Sequence, residues 1–304
     1  MRLIARTVPM DDTAPKPDVA ARLRRHVDVL AELIGERNTA RPAALDATRE
    51  YLRRELSAMG HAVVDQSFDV HDRGAVNLEV VLPGRRPGRA TLVIGAHYDS
   101  AVGTPGADDN ASAVAVLLEV ARSLADHPPR RPVRIVFFDC EEPPYFNLGE
   151  MGSQHHAAAL RRSGERVLGM ICLESIGYFP PGRRGPRYLP PPLRWFNRLV
   201  GQRYVVIVSN VRSVGFGWRF VWRFATSGTF PFLPAALPVR WVPDIALSDH
   251  RGYWEQGFPA LMVTDTAHLR NPNYHQASDR LATLDVPRMA KLCRQVQRAV
   301  RRLT

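Results

Sequence analysis

Two imidazoles and at least four carboxylates recur at one kind of place along this chain, the end of an apolar run. TLVIGA runs into His97-Tyr98-Asp99, IVFFDC into Glu141-Glu142 and MICL into Glu174, while ALMVTDTAHLRNPNYHQASD carries His275 beyond its apolar core. Asp108-Asp109 stands just before a helical run. Mixed imidazole and carboxylate donors suit zinc, whereas an all-oxygen set suits magnesium or calcium. The supply also suits two metal ions about 3.5–4 Å apart that share one carboxylate. Taken singly, each piece has a plain structural role: a His after a strand ordinarily bonds locally, an Asp before a helix caps it, and adjacent Glu residues are solvated. Convergence changes that reading, because a purely structural sheet gains nothing by gathering acids at one edge.

The elements that must position these residues follow from periodicity. Residues 17–35 and 44–59 read as amphipathic helices, the second closed by Gly60. His61–Val70 and Asn77–Leu82 read as strands, followed by the turn PGRRPGR. TLVIGA is a continuous apolar run of the kind found in strands buried on both faces. After a loop comes a helix over 111–126, stopped by Pro128-Pro129, and then a strand at Val133–Phe138. That order is a βαβ unit, in which ligands bind beyond the carboxyl ends of the strands. Later elements are strands at Val167–Leu173, Tyr204–Ser209 and Ala260–Thr264, helices near 213–225 and 252–256, and a final helix over 286–302. Residues 178–193 are rich in Pro, Gly and Arg. No internal repeat and no linker divides the chain, so one α/β domain is expected.

The motifs HYDS, GADDNAS, FFDCEE, LGEMGSQHHA, LESIGY, SDHRGYWEQGFPALMVTDTAHLRNPNYH and SDRLATLD resemble, in order and spacing, those of the M28 family of zinc aminopeptidases. The likeness runs from about residue 45 to the C-terminus. It implies a single domain over residues 1–304, a three-layer sandwich with a mixed, mostly parallel central sheet flanked by helices. Residues 1–40 would be an N-terminal extension, and 178–248 an irregular Arg- and aromatic-rich insertion walling the substrate cleft. Carried over by position, Asp109 rather than Asp108 would bridge two Zn2+ ions, because the family aligns on the acid just before Asn110. His97 and Glu174 would complete one site, and Glu142 and His275 the other. Glu174 stands where some members carry Asp. Glu141 would be the general base, Asp99 would orient His97 through its second nitrogen, and Asp249 would support the site or contact substrate. Tyr178 or Tyr274 would offer a donor to the oxyanion. The implied reaction is hydrolysis of the N-terminal peptide bond of peptides with a free amine. Glutaminyl cyclases resemble the same family, so a cyclase, or another amidohydrolase on this scaffold, is the alternative.

Composition sets outer limits. Hydrophobic residues at 45% and charged residues at 23% fit a globular enzyme. Three separated cysteines make neither a disulfide framework nor a cysteine zinc site. No apolar run is long enough for a membrane span or for a signal peptide, and a cytoplasmic location is the expectation. The net charge of +11 is almost all arginine and is spread along the chain rather than striped, so no nucleic-acid partner is expected. One stretch stands apart: residues 175–243 hold ten arginines and no Asp or Glu, with Trp195, Trp218, Trp222 and Trp241 interleaved. Arginine stems lying over apolar surface explain such a pattern; a cleft wall favouring anionic substrates, or a nucleic-acid or membrane surface, is the sharper reading.

Overall fold

A computed structural model describes residues 18–70, 73–86, 88–182 and 191–304. Half of the Pro- and Gly-rich stretch 178–193, and the start of the first expected helix, fall outside those residues. The strands are β1 (Val63–Val70), β2 (Arg73–Leu82), β3 (Thr91–His97), β4 (Val133–Phe138), β5 (Val167–Glu174), β6 (Val205–Asn210), β7 (Phe232–Leu237) and β8 (Ala260–Thr264). They form one sheet in the order β1-β2-β4-β3-β5-β8-β6-β7. The four central strands, β4, β3, β5 and β8, are parallel; β2 is antiparallel to β1 and β4, and β6 is antiparallel to β8 but parallel to β7. Every residue of β3 is buried, as its unbroken apolar run requires of a strand covered on both faces.

Alternation along the strands divides the core. Leu92 and Ile94 of β3 with Ile135 and Phe137 of β4 face one layer, and Val93, Val136 and Phe138 face the other. The first layer holds α1 (Val19–Val27), α2 (Pro42–Ala58), α3 (Ala113–Asp126), α7 (Val214–Ala225) and α9 (Val286–Leu303). The second holds α5 (Gly152–Arg162), α6 (Pro191–Val200) and α8 (His250–Glu255), while the single turn α4 (Tyr145–Leu148) lies in the loop after β4. This is the expected mixed, mostly parallel α/β sandwich in one domain.

Differences from the periodicity are local. β7 and α6 have no counterpart in it. β7 reads FLPAAL, with no alternation and a proline that removes one ladder donor. The segment 178–248 therefore supplies two strands of the sheet and two helices in its described part, rather than an irregular insertion. At the other end, the first helix widens after Val27 and closes at Gly35, whose φ is 79°.

Candidate metal centre

Strand register sets the site. His97 pairs with Phe138 across β3 and β4, and Glu174 with Thr264 across β5 and β8, so four strand ends open on the same edge. β4 ends at Phe138, and Cys140 then takes a φ of 55°. That left-handed turn frees Glu141 and Glu142 from strand alternation and lets both face inward. Ser175, at 44°, and His275 itself, at 55°, lie in the same left-handed region. Non-glycine residues hold such angles only where surrounding contacts fix them, and three of them cluster here.

Asp109 lies at the centre. Its Oδ1 is 3.2 Å from His97 Nε2 and its Oδ2 is 3.1 Å from His275 Nε2. Glu174 Oε2 lies 3.3 Å from the first imidazole, and Glu142 Oε2 lies 3.1 Å from the second. Glu141 Oε2 stands off at 3.7 Å from His97 Nε2. Among the described residues, donor atoms form three groups, each within 4.8 Å: His97, Asp109 and Glu174; Asp109, Glu142 and His275; and His97, Glu141 and Glu142. One carboxylate thus serves two sets with one oxygen each.

The supporting contacts orient the donors. His97 Nδ1 lies 3.2 Å from both the Asp99 carboxylate and the Asp99 carbonyl. Both partners are acceptors, so Nδ1 carries a proton and Nε2 is the nitrogen turned toward Asp109 and Glu174. Asp99 also accepts from the backbone N–H groups of Glu141 at 3.3 Å and Glu142 at 3.1 Å, tying β3 to the paired glutamates. Ser248 donates to Glu174 at 2.8 Å and Ser175 at 2.9 Å. The Asp279 carboxylate accepts from the N–H groups of Asp108 and Asp109. Gly106, with φ of 61°, turns the chain so closely beneath Asp109 that a Cβ there would meet the Asp109 carbonyl. Asp108 points away: it accepts from Gly177 N at 2.8 Å and Asn271 Nδ2 at 2.7 Å. Geometry therefore separates the two neighbouring acids.

Electrostatics identify a site short of positive charge. Burial and the neighbouring Asp109 push Glu142 up to about 7. Burial likewise raises Glu174 and Glu141. Against the cost of burial, Glu141 and Glu174 hold the His97 imidazole well above its ordinary value, and the facing Asp109 and Glu142 carboxylates take His275 to about 10. Among the described residues, His97 Nε2, Asp109 Oδ1, Glu142 Oε1 and His275 Nε2 are buried atoms with no hydrogen-bond partner. Orphaned donor atoms of this kind are costly unless something fills the space between them. A pair of divalent cations supplies the missing charge and the missing partners together, and the oxygen–nitrogen set fits zinc.

The remaining expected residues are distributed unevenly. Asp249 is fully buried, with its carboxyl pushed up to about 7 by burial. Tyr274 stacks on His275 with ring centres 3.9 Å apart. Tyr178 donates its backbone N–H to Asp265 at 2.8 Å. Sequence reasoning missed Asp279, Ser248 and Arg37. The first two lie inside quoted motifs, SDRLATLD and SDH, where their position was visible but their partners were not. Arg37 lies outside the motifs. Fully buried, it donates to the carbonyls of Tyr98, Pro105 and Gly106, and so braces the loop between His97 and Asp109.

The family model "Peptidase family M28" matches residues 77–192. The chain is 33% identical over 288 residues to the uncharacterized protein YfbL of Escherichia coli (strain K12), covering 92% of this chain and 87% of that protein. Two further curated relatives are longer, and the chain spans 39% and 41% of their length. Among solved structures it is similar to BSAP, a zinc aminopeptidase from Bacillus subtilis, with a TM-score of 0.73, 14% identity, and coverage of 95% of this chain and 96% of that one. It is also similar to the Tannerella forsythia glutaminyl cyclase, with a TM-score of 0.68, 20% identity, and coverage of 93% and 99%. At these identities the structural likeness speaks to fold.

Proposed function

We propose that this chain, which belongs to peptidase family M28 and is a zinc metallopeptidase, is an aminopeptidase holding two zinc ions. The observation that carries the reading is Asp109, whose two oxygens face two different imidazoles, each with its own glutamate. His97, Asp109 and Glu174 would hold one ion, and Asp109, Glu142 and His275 the other. When bound, the zinc pair polarises the scissile carbonyl and lowers the pKa of a bound water toward about 7.

The other steps fall to the protein. Glu141 stands beside the cluster, buried but not aimed at either imidazole as closely as the ligand set. It takes a proton from the attacking water and delivers it to the leaving amine, acting as general base and then general acid. Asp99 keeps His97 in one tautomer, and its bonds to the Glu141 and Glu142 amides hold the proton carrier at a fixed distance from the ligands. The acidic surroundings attract the ammonium group of a peptide N-terminus, which supports release of N-terminal residues over internal cleavage.

The test is Glu141→Gln in zinc-loaded protein, assayed with a panel of aminoacyl-nitroanilides and their N-acetylated counterparts. The variant should keep about two zinc ions per chain and lose about 10²–10⁴-fold in kcat. Full activity in the variant would remove Glu141 from the mechanism. Cleavage of acetylated substrates as fast as free ones would remove the aminopeptidase assignment. One zinc per chain, with N-terminal glutamine converted to pyroglutamate, would favour the cyclase.

A further inference from the structure

The helix α7, VGFGWRFVWRFA, is apolar on two opposite sides. Phe216, Phe220, Val221 and Phe224 are buried in the first core layer. On the outer side Val211, Val214, Trp218 and Trp222, spaced three, four and four residues apart, form one stripe in solvent. Trp218 is 61% exposed and Trp222 58%. An apolar stripe on a surface helix ordinarily faces a core; of the two on α7, only one does. Trp254, by contrast, is half-buried and donates its indole N–H to the Ala260 carbonyl.

What covers the stripe is indicated by charge. Residues 191–243 contain no Asp or Glu. The two exposed tryptophans of α7 are each followed by an arginine, Trp218-Arg219 and Trp222-Arg223, whereas Trp195 and Trp241 belong to segments packed in the second layer, across the sheet. Arg223 lies over the Trp222 ring at 4.5 Å. Helix α9 packs beside α7, with Gln295 donating to the Phe224 carbonyl and Arg302 to the Thr226 carbonyl, and it adds the exposed cations Lys291 and Arg298. The surface therefore offers indole rings and aliphatic side chains within a cationic rim. Pro234 interrupts the neighbouring edge strand β7, which disfavours pairing with a second sheet edge.

We infer that the α7 face is a peripheral docking surface for an anionic lipid bilayer, with Trp218 and Trp222 inserted at the interface and the arginines at headgroup level. Indole rings favour that depth, and a helix lying in the interface holds through buried apolar area plus attraction to anionic headgroups. The exposed valines favour lipid over nucleic acid, which offers tryptophan a base to stack on but no apolar layer for an aliphatic side chain. Bilayer attachment is independent of the peptidase chemistry, so either can fail alone.

The experiment is co-sedimentation of the full chain with phosphatidylcholine vesicles, with and without phosphatidylglycerol, alongside intrinsic fluorescence. The chain should pellet with the anionic vesicles only, with a blue-shifted emission. Trp218→Ser/Trp222→Ser should abolish the shift, and Arg219→Gln/Arg223→Gln should weaken binding on the order of tenfold. Both variants should keep wild-type activity on a small peptide substrate, which reports their folding. Should the tryptophan variant fail to fold, the arginine variant decides. Equal binding to neutral vesicles, no binding, or undiminished binding by the variants overturns the inference. So does dimerisation that the tryptophan variant abolishes, which makes a second copy the partner. Retention on single-stranded nucleic acid without vesicle binding overturns it as well.

Discussion

Asp99 does the work of three ordinary contacts, accepting from an imidazole and from two backbone amides on the neighbouring strand end. It sets the direction of His97 Nε2 and the spacing of Glu141 from Glu142, although it faces neither ligand group itself. Replacing it with Ala should leave the two amides unpaired and the His97 ring free to turn. Zinc affinity should fall about 10–100-fold, the usual range for groups that orient metal ligands. Asp99→Asn keeps an acceptor oxygen and should fall less. Competition against a chromophoric chelator measures both, and an Ala variant that holds zinc like the wild type would show the contact to be incidental. Residues of this kind divide in how readable they are. His97, Glu174, the Glu141-Glu142 pair and His275 stood out as candidates because polar residues gather at or beyond strand ends, and the resemblance to the family chose Glu142 as ligand over Glu141. Asp279 and Ser248 could not, because accepting amide hydrogens or donating to a carboxylate is open to many residues at many positions.

At the scale of elements, the central βαβ unit was legible because β3, α3 and β4 are apolar runs with clear stops, and their ends carry the polar residues. The outer elements were not. β7 contains a proline and lacks alternation, so only its contacts with β6 and the second core layer make it regular, while α6 is amphipathic but opens on prolines at the end of the Pro- and Gly-rich run. The N-terminal segment was read as an extension, yet it contributes the brace of the metal loop. Arg37 is buried with its guanidinium spread over the carbonyls of Tyr98, Pro105 and Gly106, and Asn38 Nδ2 donates to the Ser100 carbonyl. Arg37→Met fills similar volume but leaves several buried acceptors unpaired. It should destabilise the chain by about 3 kcal/mol or more, at about 1–3 kcal/mol for each orphaned group. It should also lower zinc affinity, since the braced loop leads to Asp109. Urea unfolding with zinc held constant reads the first, and chelator competition the second. If stability falls and zinc affinity does not, the brace belongs to the fold alone.

For the molecule as a whole, the metal centre makes stability a function of both zinc and pH. In the metal-free chain the buried acids resist ionisation: Glu142 is pushed up to about 7, Asp249 to about 7 and Asp279 to about 8, each by burial first. Their ordinary values are 4.5 for Glu and 3.8 for Asp, so between those and about 8 these three sites hold more protons in the folded chain than in the unfolded one, and they outnumber the buried His26 and His250, whose lowered values act the other way below 6.5. Stability must then fall as pH rises through that window. His275 acts in the same direction. Held at about 10 against an ordinary 6.5, it contributes stability that is complete below 6.5 and lost as pH rises toward 10. Zinc reverses the trend, because it binds the deprotonated ligands and competes with protons for them. The melting temperature of chelator-stripped protein should therefore decline from about pH 5 to 8, while the increment from added zinc should grow over the same range. For one site at a hundredfold excess over its Kd, that increment corresponds to about 2.7 kcal/mol, and a second filled site adds to it. Thermal melts at matched ionic strength give both curves. A zinc increment independent of pH would mean that the ion sits away from these carboxylates, and the cluster around Asp109 would need another occupant.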